Sequence, residues 1–507
     1  MSGGVRVFAE YRRDFEEVCD VVVVGSGPGG AVVARELAAA GKDVILLEEG
    51  PPFTPEDFEL DGAVSMARTM REGGLRTTGG TIMATMQANA LGGGSLVNSA
   101  ICVRAPEPTL DGWCDEFGLA QTTRADLDPH YQAIEDFLGI APTPDDVQGP
   151  RNLLFRDACN ALGYSSEPIA RNVRGCRGSG ECFTGCRSRA KQSTDISYVP
   201  AAVADGARVF TSAQVQRLLM RGSRVWGVAG QIVRPFTGQP SYRFRIQARI
   251  VVLAAGCMAT PVLLQRSEDF ANGSGQVGEN LQFHPGVAAM GVFPHETHPQ
   301  FGATQGYQSL EFVRDGYKLE TLWAPPGVFA VRLPGLGHEL KKNLSMIPRA
   351  AIWDAIATCN RSKGRVRARR RGLDPALTWR LDPKDLTILV EALWRITELF
   401  FTAGAERILP GVHGLPDELL SMDEARRIRT RQFRETDFTL AGNHVFSTTR
   451  MHGDGRLGVV DEDGRCHDTD NLYIADTGIL PRSPSVNPML TLMALAHRTG
   501  QRIAERL

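Results

Sequence analysis

Near the start of the chain, Gly25-Ser26-Gly27-Pro28-Gly29-Gly30 follows Asp20 and the apolar run Val21-Val22-Val23-Val24. This order restricts the segment to a buried strand, a tight turn and a helix. Gly25 permits the turn, Gly27 lets backbone approach a pyrophosphate, and Gly30 allows close packing of helix on strand, with Gly29 beside them in the same cradle. The helix N-terminus then carries the phosphate charge. Glycine clusters also make ordinary turns, so the flanking sequence decides. Ala31–Ala40 is a strong helix former, Gly41 stops it, and Val44-Ile45-Leu46-Leu47 reads as a second buried strand ending at Glu48. Glu48 stands eighteen residues beyond Gly30, close to where an acid is expected to meet ribose hydroxyls.

A second glycine loop follows at Leu91-Gly92-Gly93-Gly94-Ser95-Leu96-Val97-Asn98. Backbone without side chains can press its amides against a flat ring, and Asn98 is placed to hold a polar edge of that ring. The plainer alternative for this loop is a flexible lid. Taken together, the two loops point to a flavin dinucleotide.

The 507 residues suffice for two or more domains. Lys plus Arg number 56 against 58 for Asp plus Glu, so no global field draws the chain toward nucleic acid or an anionic membrane. Met1–Glu17 mixes charges of both signs and no apolar run is long enough to span a bilayer. No nucleic-acid partner, no integral membrane segment and a cytoplasmic location are expected, and ten scattered cysteines fit reduced thiols. Pro51–Thr85, rich in Gly, Thr and Met, is a candidate cover for the cofactor. Asp111–Leu138 has helical periodicity, and strands are expected at Ala207–Phe210, Val225–Val233 and Arg249–Ala255. From Val287 to about Leu440 the glycine motifs cease and Trp323, Trp353, Trp379 and Trp394 occur, which reads as a separate substrate region. The end of the chain reads as a strand, Leu472–Asp476, then a helix opened by Pro488. Five arginines between Arg365 and Arg371 read as a solvated loop or helix end.

Several of these segments closely resemble blocks of the glucose-methanol-choline oxidoreductase family of flavoenzymes. They are Ala88–Asn98, Gly256–Ser267, Val277–Leu281 with His284-Pro285, His444-x-x-Ser447-Thr448-x-Arg450-Met451, and Asp476 with Asn487-Pro488-x-Leu490-Thr491. Cys257 and Glu268 depart from it, standing where the family usually has a small residue and a Gly. The resemblance covers nearly the whole chain and is weakest in the substrate region. It implies an α/β fold in which a Rossmann-type FAD-binding domain occupies residues 1–105, 200–286 and 441–507. A cap or linker with a cysteine loop is expected at 106–199, and a discontinuous α+β substrate-binding domain at 287–440. The implied cofactor is FAD, held by Gly25, Gly27, Gly29, Gly30, Glu48, Gly93, Gly94, Ser95, Asn98, Val215, Asp476 and Pro488, with Val215 offering backbone to the adenine. Similar enzymes sometimes tether the ring through a His just before the Asn. Val97 occupies that position, so non-covalent FAD is expected.

The resemblance also implies oxidation of an alcohol, with His444 as the base and Asn487 as its partner. An imidazole of ordinary pKa, about 6.5, suits proton removal near neutrality, and an amide orients the substrate oxygen without competing for the proton. His284 and His452 stand where the family pattern does not place the base. The block Phe401–Ala405 and the cysteine loop look most like the long-chain alcohol and sterol oxidising branches, which implies an apolar alcohol (long-chain, sterol or aromatic) and oxygen or another electron acceptor. Cys176, Cys182 and Cys186 form C-x5-C-x3-C in the Gly/Cys/Arg loop Arg171–Arg189. Related dehydrogenases hold an iron-sulfur cluster on a similar arrangement, whereas the default reading is a buried structural turn with no metal. A flavin-dependent lipid lyase or isomerase on the same scaffold is the alternative activity, as is a dehydrogenase that passes electrons through such a cluster.

Overall fold

Both faces of Val21–Val24 are covered, which is why this strand end carries no polar residue. It belongs to an eight-stranded sheet at one side of the molecule. The computed structural model describes residues 3–507 apart from 60, 269, 324, 331–332 and 371. In chain order, the elements needed below begin with β1 (Gly4–Arg6), β2 (Phe15–Val24), α1 (Pro28–Ala39), β3 (Val44–Leu47), α2 (Gly62–Thr69), α3 (Gly94–Val97), α4 (Glu107–Phe117), α5 (Arg124–Leu138) and α6 (Pro150–Leu162). They continue with α7 (Tyr198–Ala204), β4 (Arg208–Phe210), β5 (Ala213–Arg221), β6 (Arg224–Val233), β7 (Pro240–Leu253), α8 (Ala259–Arg266), β8 (Gly286–Val292), β9 (Tyr317–Leu322), β10 (Ala350–Ala357), α9 (Pro383–Thr402), β11 (Leu472–Ile474) and α10 (Met489–Arg506).

The first sheet runs β1-β4-β3-β2-β7-β6-β5, with β11 also paired to β7. Its left half and the β7–β11 pair are parallel, whereas β5, β6 and β7 form an antiparallel meander. The carboxyl ends of β2, β3, β7 and β11 therefore meet at one crevice, where ligands of open α/β sheets bind. Helices α1, α7, α5 and α10 pack together beside this sheet. The first helix begins at Pro28, three residues before the apolar-rich part of its sequence, because proline has no amide proton to lose at a helix start.

The second sheet has β8 paired antiparallel to β10, and β10 to β9. Helix α9 covers its back, where the ring of Phe400 stacks on Trp353 with centroids 4.0 Å apart. Such a stacked pair contributes about 0.5–1.5 kcal/mol beyond its burial. Its front carries Gly286, Ala288, Glu320, Leu322, Asp354 and Ile356 and looks into a cavity shared with the first sheet.

The α/β architecture expected from the sequence is the one observed. The stretch from Pro51 to Thr85 is more ordered than a loop, since α2 lies within it and lines the cavity. Asp111–Leu138 is two helices, because Gly118 adopts the left-handed conformation that ends α4. The first part of the arginine run is a strand, Lys363–Ala368, in which Arg365 and Arg367 both pair with Glu279; Arg369 and Arg370 follow it outside the strand, and Arg371 lies outside the described residues. Among the described residues, no helix is long and apolar enough to cross a membrane.

Candidate active site

The cavity measures about 1340 Å³ and runs from the β2–α1 turn to the front of the second sheet. That exceeds the ~300–1,000 Å³ of an ordinary small-molecule pocket and leaves room for a dinucleotide and a second molecule.

At one end its walls are backbone. Gly25 has φ +105°, and a Cβ there would lie 2.2 Å from the carbonyl oxygen of Ala254. A Cβ on Gly29 would approach Ala475 O to 1.8 Å, and one on Gly30 would approach Gly25 O to 2.0 Å. Gly27 caps α1 with no side chain bonded to the free amides, so the helix N-terminus is open toward the cavity. The second glycine loop comes against the first, with Gly93 at φ +50° and its would-be Cβ 2.7 Å from Gly27 Cα.

Polar side chains weld the two loops together. The Ser26 hydroxyl donates to Glu48 Oε2 at 2.7 Å and accepts from the Gly92 amide at 2.9 Å. Thr194 Oγ1 donates to Ser26 O at 2.9 Å. Glu48 also accepts from the amides of Ser26 and Gly50, at 3.0 and 2.7 Å, and burial raises its carboxyl above the usual range despite these donors. Its position at the end of β3 lines the cavity. Asp476 caps the turn after β11, accepting from Thr260 Oγ1 at 2.5 Å and from the Gly256 and Gly478 amides. Burial pushes its carboxyl up to about 6.

Gly25, Gly27, Gly29, Glu48, Gly93, Gly94, Asn98, Val215, Asp476, Pro488, His444 and Asn487 all line this one cavity. Two sequence candidates do not. Gly30 is consumed by packing against Gly25, as its expected role requires. Ser95 is a correction: its hydroxyl turns inward to Gly92 O at 2.6 Å and Thr194 Oγ1 at 3.0 Å, because the one-turn helix α3 buries that face. It braces the loop from behind. Val215 stands beside a register shift in β5, and Asn98 bonds Met489 Sδ and the Ala100 amide. An open helix N-terminus, an acid after β3 and a bare glycine wall suit the pyrophosphate, ribose and ring of FAD.

The other end is built from side chains. Asn487 Nδ2 lies 3.5 Å from His444 Nε2, and His444 Nδ1 lies 3.2 Å from His284 Nδ1, whose Nε2 meets Ser483 Oγ at 2.5 Å. Lys318 Nζ donates to Asn487 Oδ1 at 2.6 Å and lies 2.7 Å from Glu320 Oε2, off hydrogen-bond alignment. Burial, and after it the Lys318 ammonium, push the His444 imidazole down to about 3. His284 is held well below its ordinary value by burial, His444 and Lys318. The group expected to titrate near neutrality is therefore neutral throughout that range. His452 lies apart, its Nδ1 accepting from the Asp454 amide, and does not line the cavity. Sequence reasoning missed Lys318 and Glu320, whose only signal was period-two spacing in Tyr317–Leu322.

The cysteine loop is held by a buried cation pair. Arg171 Nη2 donates to Cys182 Sγ at 2.9 Å, and Lys191 Nζ reaches the carbonyls of Cys182, Leu96 and Asn98 at 2.7, 2.6 and 2.8 Å. Burial alone would raise the Cys182 thiol, but Arg171 and Lys191 hold it below its ordinary value. Cys186 Sγ contacts Ser188 Oγ at 3.3 Å. Among the described residues, no three His, Cys, Asp or Glu side chains are gathered to hold a metal ion.

Residues 66–286 and 360–496 match the N- and C-terminal family profiles described as GMC oxidoreductase, and residues 18–81 match an FAD-binding domain. An uncharacterized GMC-type oxidoreductase of Mycobacterium tuberculosis is 35% identical over 480 residues, 94% of this chain and 74% of that protein. A long-chain-alcohol oxidase of Arabidopsis thaliana is 26% identical over 96% of this chain and 68% of its own length. In fold, the chain is similar to pyridoxine 4-oxidase from Mesorbium loti, with a TM-score of 0.73 at 20% identity over 96% of this chain and 99% of the other.

Proposed function

The chain belongs to the GMC oxidoreductase family and is an FAD-dependent oxidoreductase, and on that premise we propose that it oxidises an alcohol with a largely apolar body to the carbonyl. His444 takes the hydroxyl proton, and Asn487 holds the substrate oxygen. The observation that carries this reading is the meeting of His444 and Asn487 at 3.5 Å, on the wall of the cavity whose far end is the glycine cradle.

Bound in that cradle, FAD supplies the acceptor for the hydride that leaves the carbinol carbon. Gly25, Gly27 and Gly29 with the α1 N-terminus hold its pyrophosphate, Glu48 its ribose, and Gly93, Gly94 and Asn98 its ring. Val97 offers no nucleophile, so contacts alone retain the cofactor. At the other end, a neutral Nε2 is ready for the proton as charge builds on the alcohol oxygen, and a positioned base of this kind contributes about 100- to 10,000-fold. The amide of Asn487 keeps that oxygen oriented. Met66, Met70, Leu75, Met86, Leu322 and Trp323 line the approach and suit an apolar chain or ring system. The long-chain-alcohol oxidases among the relatives support the same substrate class. Residues 287–440 act as the substrate domain, oxygen or another electron acceptor is the second substrate, and the ten free thiols favour the reducing cytoplasm.

The test is an anaerobic screen of long-chain, sterol and aromatic alcohols for bleaching of the bound flavin, followed by admission of oxygen. Bleaching by such alcohols is the expected result. Its absence across the screen, with turnover of a lipid in which nothing is oxidised, would replace the reading with a lyase or isomerase. Acid precipitation should release all of the flavin; flavin retained in the pellet would reveal a covalent link.

A further inference from the structure

A lysine with no exposed surface stands behind the Asn487 amide. Lys318 lies on β9 at 0% exposure, two residues from Glu320 at 1% and so on the same face of the strand. Lys318 does not line the cavity, so it is out of the substrate's reach, while Glu320 forms part of the wall. Glu320 is itself held from the other side, because Gln305 Nε2 donates to its Oε1 at 2.5 Å. A buried ion pair of this kind carries a desolvation cost and is weak evidence of stabilisation. Its position beside the base suggests a different use.

An ammonium has donors and no acceptor. The Asn487 atom that faces Lys318 at 2.6 Å is therefore the carbonyl oxygen, and Nδ2 is turned toward His444. Nδ2 can only donate, so His444 Nε2 is the bare nitrogen. Its proton then sits on Nδ1 and is donated to His284 Nδ1, 3.2 Å away. His284 in turn keeps its proton on Nε2 and donates to Ser483 Oγ. Every donor and acceptor in the chain Glu320–Lys318–Asn487–His444–His284–Ser483 follows from the one group that cannot reverse. Without Lys318 the Asn487 amide is free to flip, and a flipped amide would present Oδ1 to Nε2 and favour the tautomer with a proton there.

We propose that Lys318, anchored by Glu320, is the positioning residue that orients the Asn487 amide and so keeps Nε2 of His444 free to accept the alcohol proton. This rests on the reading of His444 as the base. The charged and titratable groups at that imidazole are Lys318 from β9 and His284 from the segment before β8; behind them Glu320 pairs with Lys318, and Asp354 stands opposite Glu320 on β10.

The experiment compares wild-type holoenzyme with Lys318→Met, with the paired variant Lys318→Met/Glu320→Leu that leaves no buried charge unpartnered, and with His444→Ala. Each is measured for anaerobic flavin reduction as a function of pH and alcohol concentration. Each is also 15N-labelled at histidine, the His444 signals being identified by their loss in His444→Ala. Wild type should show a bare Nε2 and a protonated Nδ1. Both lysine variants should lose that pattern, show an acid limb moved toward neutrality, and reduce flavin about 10- to 100-fold more slowly at saturating alcohol, with half-saturation little changed. If Lys318→Met fails to fold, the paired variant supplies the same comparison. Wild-type tautomer and pH profile in a folded lysine variant would overturn the proposal, even where its rate falls, since lost packing alone would slow turnover without moving either. Near-wild-type reduction in His444→Ala would instead overturn the reading of the base, which separates the two failures.

Discussion

At the dinucleotide end of the cavity, shape is set by backbone that tolerates no added atom, since a Cβ on Gly29 would come within 1.8 Å of a carbonyl oxygen. At the chemical end the wall is made of side chains, His444 and Asn487 with Lys318 behind them, which come from three distant segments and are joined by contacts of 2.6 and 3.5 Å. The first end has geometry and partial charge, with Glu48 and Asp476 engaged by amides and hydroxyls. The second has a full positive charge and a full negative charge, both buried. The two should therefore fail differently. Damage to the cradle loses the cofactor, whereas damage to the dyad leaves a bound flavin that is slow to reduce.

His444→Ala is the most severe test of that division. It should retain FAD and slow anaerobic flavin reduction about 100- to 10,000-fold, read by stopped-flow bleaching. Loss of FAD in this variant would mean that the two ends are not separable. Glu48→Ala should do the converse, weakening FAD by about 1.5–3 kcal/mol, or roughly 10- to 150-fold by equilibrium titration, with reduction of the flavin-saturated protein unchanged. Unchanged affinity would assign the ribose contact to another residue. Asn487→Ala should slow reduction by about tenfold, the loss of one orienting hydrogen bond, with FAD affinity as in wild type. A larger loss than in His444→Ala would reverse the order of importance within the dyad.

The smallest expected effect is a flat line. A base is active when unprotonated, and a pKa pushed down to about 3 leaves His444 unprotonated at neutral and mildly acidic pH. Wild-type flavin reduction should show no limb from this group between about pH 5 and 8, and should fall only on further acidification. A limb near 6.5 would show that bound substrate and cofactor restore the ordinary value of the imidazole.

The β2–α1–β3 unit was legible because its information is local: adjacent residues set the turn, the helix start and the strand that ends at Glu48. Cavity-lining positions of the second glycine loop were legible for the same reason. Ser95 was not, because whether a residue in a single helical turn faces the ligand or the protein depends on what covers it, here Thr194. The cysteine loop shows the same limit. Spacing offered three thiols for a cluster, whereas tertiary structure sets Cys182 beside Arg171 and Lys191, whose positive charges lower its pKa. Lys318 and Glu320 were the least legible. The pattern Tyr-Lys-Leu-Glu-Thr-Leu alternates as a half-exposed strand does, and nothing within it reveals that both faces are covered.

By itself, then, the amino-acid sequence determined the strand-turn-helix that can seat a pyrophosphate, the cofactor class, and the imidazole and amide proposed here to meet substrate. These depend on residue type and short spacing, which the chain carries along its length. Only the tertiary structure decided that His444 is buried between Asn487 and His284, that this burial lowers its pKa, and which cation stands behind Asn487. Those properties arise from desolvation and from charges brought together across 126 and 169 residues of chain, from Lys318 to His444 and to Asn487, and no local pattern records a contact of that kind.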